Sequence, residues 1–507
     1  MTSTISGIDT IVFDTSVFPP NGANVITLAD TPNNQLTITD THLIVDASAN
    51  GNLTVQRPTT ATNAFGVLYA ITSYGTLTID SLTIANGKLT ASQPSGAALG
   101  AGIASVYTSL RLDNSVVSGN DNASAGYAAG GGIAVYAGDL VLNNSTVGGN
   151  HVSGNSGISG MGGGVFVRQK IGTQTGGNAT IADSRIIDNA AQGNGGGLHV
   201  GGGLTLIRSQ VSGNTAGKDG GGIKLYGAST LTDSTIRDNT ATRNGGGILA
   251  AGGYYGAPAA LLTLDASTVS GNRVTAVSGS RGGGLFTRVG NLSLINSTLA
   301  GNSTAASGYG YGGAIYVKQN DFPITLRQTT IASNTAAHRG GGLMIMSSGA
   351  GAVTFDGSLF ANTDAPSNGG GNIGVGIGGI TIEGGGNLVF PGAPPSSDVI
   401  NAAFSTAPIN GDPKLAPLAD NGGPTQTMLP GAGSAAVDAM AATDGRCPLA
   451  TDQRGMIRPD PAGAHSSPTP CDIGAVEAGS ISDAIFADGF DAWRTFGARD
   501  PAALVKD

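Results

Sequence analysis

Apolar and polar residues alternate in short runs along most of the chain, and the runs recur in a fixed order. LRLDNSVVSGN, LVLNNSTVGGN, LTLIRSQVSGN, LTLDASTVSGN and LSLINSTLAGN are copies of one unit. The unit holds a Leu-x-Leu run, then Ser-x-Val/Ile-x-x-Asn, a variable loop, a glycine triplet and a second alternating run. Alternation with a period of two turns every second side chain inward, as a half-buried strand requires. The Asn recurs at Asn120, Asn150, Asn189, Asn214, Asn239, Asn272, Asn302, Asn334 and Asn362, and the longer intervals carry extra Gly, Ser and Ala.

A solenoid accounts for this pattern, because each coil keeps a fixed structured part while one loop absorbs the variation in length. The predicted fold is all-β, a right-handed parallel β-helix. After the glycines, Ile133, Val165, Leu198, Ile223, Ile248, Leu285, Ile315 and Leu343 are expected to stack as one internal apolar ladder. Val117, Val147, Ile186, Val211, Ile236, Val269, Leu299 and Ile331 form the second. The Asn column is read as architecture: Asn tolerates left-handed backbone at a corner and can hydrogen-bond to its equivalents above and below. The glycine triplets are expected to supply further positive-φ positions.

Before residue 110 the repeat is degenerate, but strands continue in LTITDTHLIVDA, LTV, VLYAI and LTIDSLTIANG. Residues 1–30 are expected to cap the first coil, and residues 31–390 to form the β-helix. At about 4.8 Å per coil, roughly 12 to 13 coils give a shaft about 60 Å long. Proline becomes frequent after Leu388, so residues 391–479 read as a turn-rich C-terminal unit closing the solenoid. Residues 480–507 hold the only tryptophan, Trp493, and read as a docked cap or an attachment segment.

Composition narrows the class of function. Of 507 residues 85 are glycine, yet the G-X-Y period of collagen is missing. A hydrophobic fraction of 39% in regular clusters argues against disorder. The net charge is −9 and no Lys- or Arg-rich run occurs, which excludes nucleic acid as the expected partner. No apolar stretch is long enough to span a bilayer as a helix, so no transmembrane segment is expected. The chain starts without a charged and apolar leader, but Met1-Thr2-Ser3 reads as an added start, so export stays open. Cys447 and Cys471, the only cysteines, share one proline-rich segment and are read as a disulfide rather than two free thiols. A zinc site would need more ligands than nearby His465 supplies, and no metal or cofactor is expected.

The outward positions carry the candidate chemistry. After the glycines, the first outward column reads Ala134, Phe166, His199, Lys224, Leu249, Phe286, Tyr316 and Met344. The second reads Tyr136, Arg168, Gly201, Tyr226, Ala251, Arg288, Lys318 and Met346. Aromatic and cationic residues gather on this one face, in a chain with 5% aromatics. Rings stack on sugars and cations pair with carboxylates or sulfates, so Tyr136, Phe166, Arg168, His199, Lys224, Tyr226, Phe286, Arg288, Tyr316 and Lys318 are candidate contacts for an acidic polysaccharide. If the protein is a lyase, His199, Lys224 and Arg168 are the candidates for proton abstraction and carboxylate neutralisation. The plainer reading is that such ladders stabilise stacked strands and keep their surface soluble. The histidines are scattered along the axis, and no phosphate loop of the form GxxxxGK[ST] is present.

GDPKLAPLADNGGPTQTMLPGAGSAAVDA (411–439), TDQRGMIRP (451–459) and CDIGAVE (471–477) resemble bacterial secreted and surface proteins of the choice-of-anchor Q family. Residues 110–362 are also similar to chlamydial polymorphic outer-membrane repeats. GIDTIVF resembles the segment that follows a CSLREA motif in such proteins, so the natural precursor is expected to extend upstream. The resemblance implies export to the medium or the bacterial cell surface. It carries no common catalytic activity. Within the matched words, Asp452, Arg454, Arg458, Asp472 and Glu477 are read as a structural charge network. The resulting expectation is an adhesin-like or glycan-contacting shaft without clear catalytic machinery, whose partner is an extracellular polysaccharide or cell-surface glycan. A lyase acting on an acidic glycan and a purely structural spacer are the alternatives.

Overall fold

Inward Leu, Ile and Val at every second strand position can leave water only if one coil stacks on the next. The computed structural model shows that arrangement. It describes residues 7–478 apart from position 52 and segments 91–97, 155–159, 169–176, 253–260, 277–278, 289–290, 306–308, 364, 366–370, 391–398, 401, 441–446, 448 and 459–469. The tail 480–507, with Trp493, and His465 lie outside the described residues. Almost every strand pairs in parallel with its equivalent one coil away, giving a parallel β-helix.

Three faces run the length of the shaft. The glycine face is built from the strands after the triplets, such as Ile133–Tyr136, Val165–Arg168 and Leu198–Val200. The leucine face uses the Leu-x-Leu runs, such as Leu140–Asn143 and Leu204–Ile207. The serine face is a 13-stranded sheet that includes Thr146–Gly148, Arg185–Ile187 and Gln210–Ser212. The glycine and leucine faces merge into one sheet because two early strands, Leu68–Asp80 and Ile103–Asp113, run through both.

Both expected apolar ladders are present and in register. Ile133, Val165, Leu198, Ile223, Ile248, Leu285, Ile315 and Leu343 pair coil to coil, as do Val117 through Ile331 on the serine face, and all are buried in one core. Full burial of one such side chain is worth about 1.5–3 kcal/mol. A slip by one residue would turn the whole set to solvent, so the core fixes the register.

The corner after the serine face is polar and fully wired. Nδ2 of Asn120, Asn150, Asn189, Asn214, Asn239, Asn272 and Asn302 donates to Oδ1 of the next Asn at 2.9–3.0 Å. Backbone N–H groups of the same residues donate to those oxygens, and Nδ2 also reaches a carbonyl of the preceding coil, as in Asn239 to Val211. A parallel column of serines does the same work at the other end of the short strand. The hydroxyls of Ser145, Ser184, Ser209, Ser234, Ser267 and Ser297 accept the N–H of the preceding serine, and most donate to a carbonyl two residues back. These columns give buried polar backbone the partners it requires.

Two details of the corner differ from expectation. The left-handed residue is the one before the column Asn, as at Gly119, Gly149, Asp188, Gly213 and Asp238. Asn362 is not a ninth member of the column: it takes that exposed left-handed place itself, and the buried position passes to Thr363, whose Oγ1 hydrogen-bonds to Asn372. Within the triplets that precede the glycine-face strands only the first glycine has positive φ, for example 61° at Gly245. The second is glycine for room, since a Cβ on Gly246 would lie 2.3 Å from the Gly283 carbonyl oxygen.

The ends depart from a simple capped shaft. Strands Asp9–Val12 and Asn24–Thr27, within the stretch expected as a cap, pair in parallel with His42–Asp46 and Leu53–Gln56. Strand Ala402–Phe404 stacks on Ile380–Glu383. Ile409 then adds one more parallel rung beyond Leu388 on the serine face. From there the chain turns back as an arm along the outside of the serine face. Ala475 N–H donates to Thr330 Oγ1, Gln453 bonds Thr298 and Thr268, and Thr425 reaches the Ala266 carbonyl. Thr268, Thr298, Thr330, Leu359 and Leu388 are buried beneath it.

The arm is tied by the Cys447–Cys471 disulfide and by a buried charge network. Arg458 is fully buried, 2.8 Å from Glu477, and also bonds the Gly474 carbonyl and Asn296 of the shaft. Arg454 pairs with Asp452 at 2.8 Å, and Asp472 accepts the N–H of Asp438. Burial, together with the nearby Asp472 charge, raises the Glu477 carboxyl to about 7. Among the described residues no helix is long and apolar enough to cross a membrane.

Candidate functional site

The glycine face keeps the predicted order of side chains but not their exposure. Phe166, His199, Lys224, Leu249, Phe286, Tyr316 and Met344 stand in register, one per coil, with Ala134 above them. All eight are buried rather than exposed, His199 to 5% and Lys224 to 8%. Residues immediately before the glycine triplets explain this correction. Asp219, Asn244, Arg281, Tyr311 and Arg339 pair coil to coil as a further column and form a wall beside the first outward column. Sequence reasoning missed that wall, although its signal, the residue preceding each triplet, stands at a constant offset.

Between the wall and the second outward column lies a groove of about 720 Å³. Six of the ten candidate contacts line it: Lys224, Tyr226, Phe286, Arg288, Tyr316 and Lys318. Phe286 and Tyr316 stack with ring centroids 5.3 Å apart and planes 16° apart. The Arg281 guanidinium lies 5.8 Å from the Tyr316 ring centre. Arg288 and Lys318 stand exposed at the rim. None of the ion pairs among the described residues involves Arg281, Arg288 or Lys318. The buried Oδ1 of Asn244, also in the groove, accepts no hydrogen bond among the described residues.

The upper end of the groove is neutralised internally. Asp219 accepts from Arg243 at 2.8 Å and from Asn244 at 2.9 Å, and lies 3.7 Å from Lys224 Nζ. Burial lowers the pKa of Lys224, with Asp219 opposing the shift.

The other four candidates, Tyr136, Phe166, Arg168 and His199, lie nearer the N-terminal end and outside the groove lining. His199 pairs with Lys224 across one coil step, as expected, but its ring is enclosed between Phe166 at 5.3 Å and Tyr226 at 5.7 Å. Burial first, then the charges of Lys224 and Arg168, lower its pKa from 6.5 to about 3. A ring so weakly basic is a poor proton acceptor at neutral pH. Arg168 donates to the Tyr127 hydroxyl at 3.1 Å.

A second cleft, about 690 Å³, lies between the arm and the serine face. Arg208 pairs there with Asp183 at 2.6 Å and Arg237 with neighbouring Asp238 at 2.7 Å, while Arg185, Asp233 and Asp420 also line the cleft. Its three carboxylates, Asp183, Asp233 and Asp420, match its three cations, Arg185, Arg208 and Arg237, in number.

The fold and this groove define the class, a parallel β-helix with a lateral cationic and aromatic channel. Family models, curated proteins and solved structures were compared with the chain, and none matches.

Proposed function

We propose that the protein is an extracellular or cell-surface shaft that holds an acidic polysaccharide along the groove of Arg281, Arg288 and Lys318. One observation carries the reading: three cations without carboxylate partners among the described residues stand beside the stacked Phe286 and Tyr316. Carboxylates or sulfates would complete the ion pairs, and sugar faces would lie on the rings. The coils repeat at about 4.8 Å, so an extended sugar chain laid along the axis meets a new set of side chains roughly at each unit. The disulfide and the words shared with the choice-of-anchor Q family both support a place outside the cytoplasm.

Binding is preferred to elimination because the groove offers charge and stacking, whereas the histidine read as a base lies outside its lining. His199, the candidate base, is enclosed and neutral. Titration calorimetry with oligogalacturonate at low salt tests the proposal. Arg288→Ala and Lys318→Ala should each weaken binding about tenfold, and added salt should weaken it further. Equal affinity in the double variant would sink the reading and leave a passive spacer.

A further inference from the structure

A second aromatic array lies on the same face, toward the N-terminal end. Tyr74, Tyr107 and Tyr136 come from three successive coils, with ring centroids 5.7 and 6.0 Å apart and edge-to-face packing. Tyr69 and Tyr127 belong to the same cluster, packed around buried Phe166. Tyr74 is 63% exposed.

The backbone there turns a left-handed corner, as it does elsewhere on the shaft. Tyr74 and Tyr107 have φ of 66° and 55°, a left-handed conformation that bulky L residues adopt only at a cost in energy. Three residues, Thr72 to Tyr74, stand opposite Tyr107 alone, so the strand bulges where Tyr74 projects. Threonines hold the bulge: Thr72 Oγ1 lies 2.8 Å from Thr108 Oγ1, and Gly75 N–H donates to Thr72 Oγ1. One coil later Ala137 takes the corresponding place at φ 60°, so the corner itself does not call for a ring, yet two consecutive coils set one there.

We propose that Tyr74, Tyr107 and Tyr136, with Tyr69 and Tyr127, form a second carbohydrate subsite that takes uncharged sugar rings. The ligand class follows from the surroundings. Stretches 66–79, 103–110 and 131–138 contain no charged residue, and Arg168, in register with Tyr136, already donates to the Tyr127 hydroxyl, so this array offers mainly rings and hydroxyls where the groove offers cations without carboxylate partners. The inference rests on the reading of this face as a glycan-contact surface, but it uses other residues and another ligand.

Titration calorimetry on the full chain, with neutral glucan, mannan and galactan oligosaccharides as probes, separates the two. Because Tyr74 is exposed, Tyr74→Gly removes the ring and the strain without opening the core. At least one neutral probe should bind the native chain, and Tyr74→Gly combined with Tyr107→Ala should weaken it about tenfold. The Arg288→Ala, Lys318→Ala double variant should bind that probe as the native chain does. Failure of every neutral probe to bind, or equal affinity in the tyrosine variant, overturns the subsite. Loss of oligogalacturonate binding in the arginine–lysine variant alone would still stand for the groove.

Discussion

The asparagine corner and the groove face are built on the same coils, yet they use their side chains in opposite ways. At the corner one residue type repeats from Asn120 to Asn334, and each amide finds its partners in the neighbouring coils. On the groove face the wall and the second outward column change from coil to coil: Asp219, Asn244, Arg281, Tyr311 and Arg339 in one, Tyr226, Ala251, Arg288, Lys318 and Met346 in the other. Regularity marks the columns whose partners lie within the fold. Irregularity marks the columns whose groups are left for something else, and Arg281, Arg288 and Lys318 are the clearest instances.

That contrast can be tested by perturbing each side. Asn239→Ala should be the most damaging change. It takes the acceptor from the buried N–H of Asn214, one of three acceptors from its Nδ2 and the Nδ2 donor from the Val211 carbonyl, and should cost about 3–5 kcal/mol in urea denaturation. Next comes the arm, which closes the serine face as self-sufficiently as the asparagines close the corner. Arg458→Met leaves Glu477 buried without its partner and should cost about 3 kcal/mol, read as earlier proteolysis of residues 411–478.

On the groove face the effects are smaller and of another kind. His199 titrates near 3 when folded and near 6.5 when unfolded, so the unfolded chain takes up the proton first. Its contribution is therefore intact above pH 6.5 and is lost as the pH falls toward 3. Wild type should lose about 1.4 kcal/mol more per pH unit across that window than His199→Phe, measured by denaturation at each pH. Parallel slopes would show that the ring is not enclosed. Smallest of all, Arg288→Ala and Lys318→Ala should leave stability within about 0.5 kcal/mol, because neither side chain serves the fold. A large loss there would erase the distinction between the two faces.

Much of this was legible in the chain. Period-two alternation and the recurring Asn located both apolar ladders, and the column order on the glycine face followed from counting after each triplet. Exposure was not legible, because it depends on the residue before the triplet, whose side chain walls in Phe286 and Tyr316 from a neighbouring column. The path of the arm was hidden for a similar reason. Thr268, Thr298 and Thr330 are buried under it, whereas Thr146 and Thr235 occupy the same column only partly buried. Nothing local tells these threonines apart; the difference lies in a segment more than a hundred residues later. The Cys447–Cys471 pairing needed no such information, since only two cysteines were available.

The arm also changes how the shaft would bear a mechanical load. A solenoid pulled from its last coil peels, breaking contacts with one neighbour at a time. Thr425, Gln453, Arg458 and Ala475 are fastened to Ala266, to Thr268 and Thr298, to Asn296 and to Thr330, across three successive coils. Tension entering through residue 478 is therefore spread over several coils in shear, and those fastenings must fail together before the first coil can unwind.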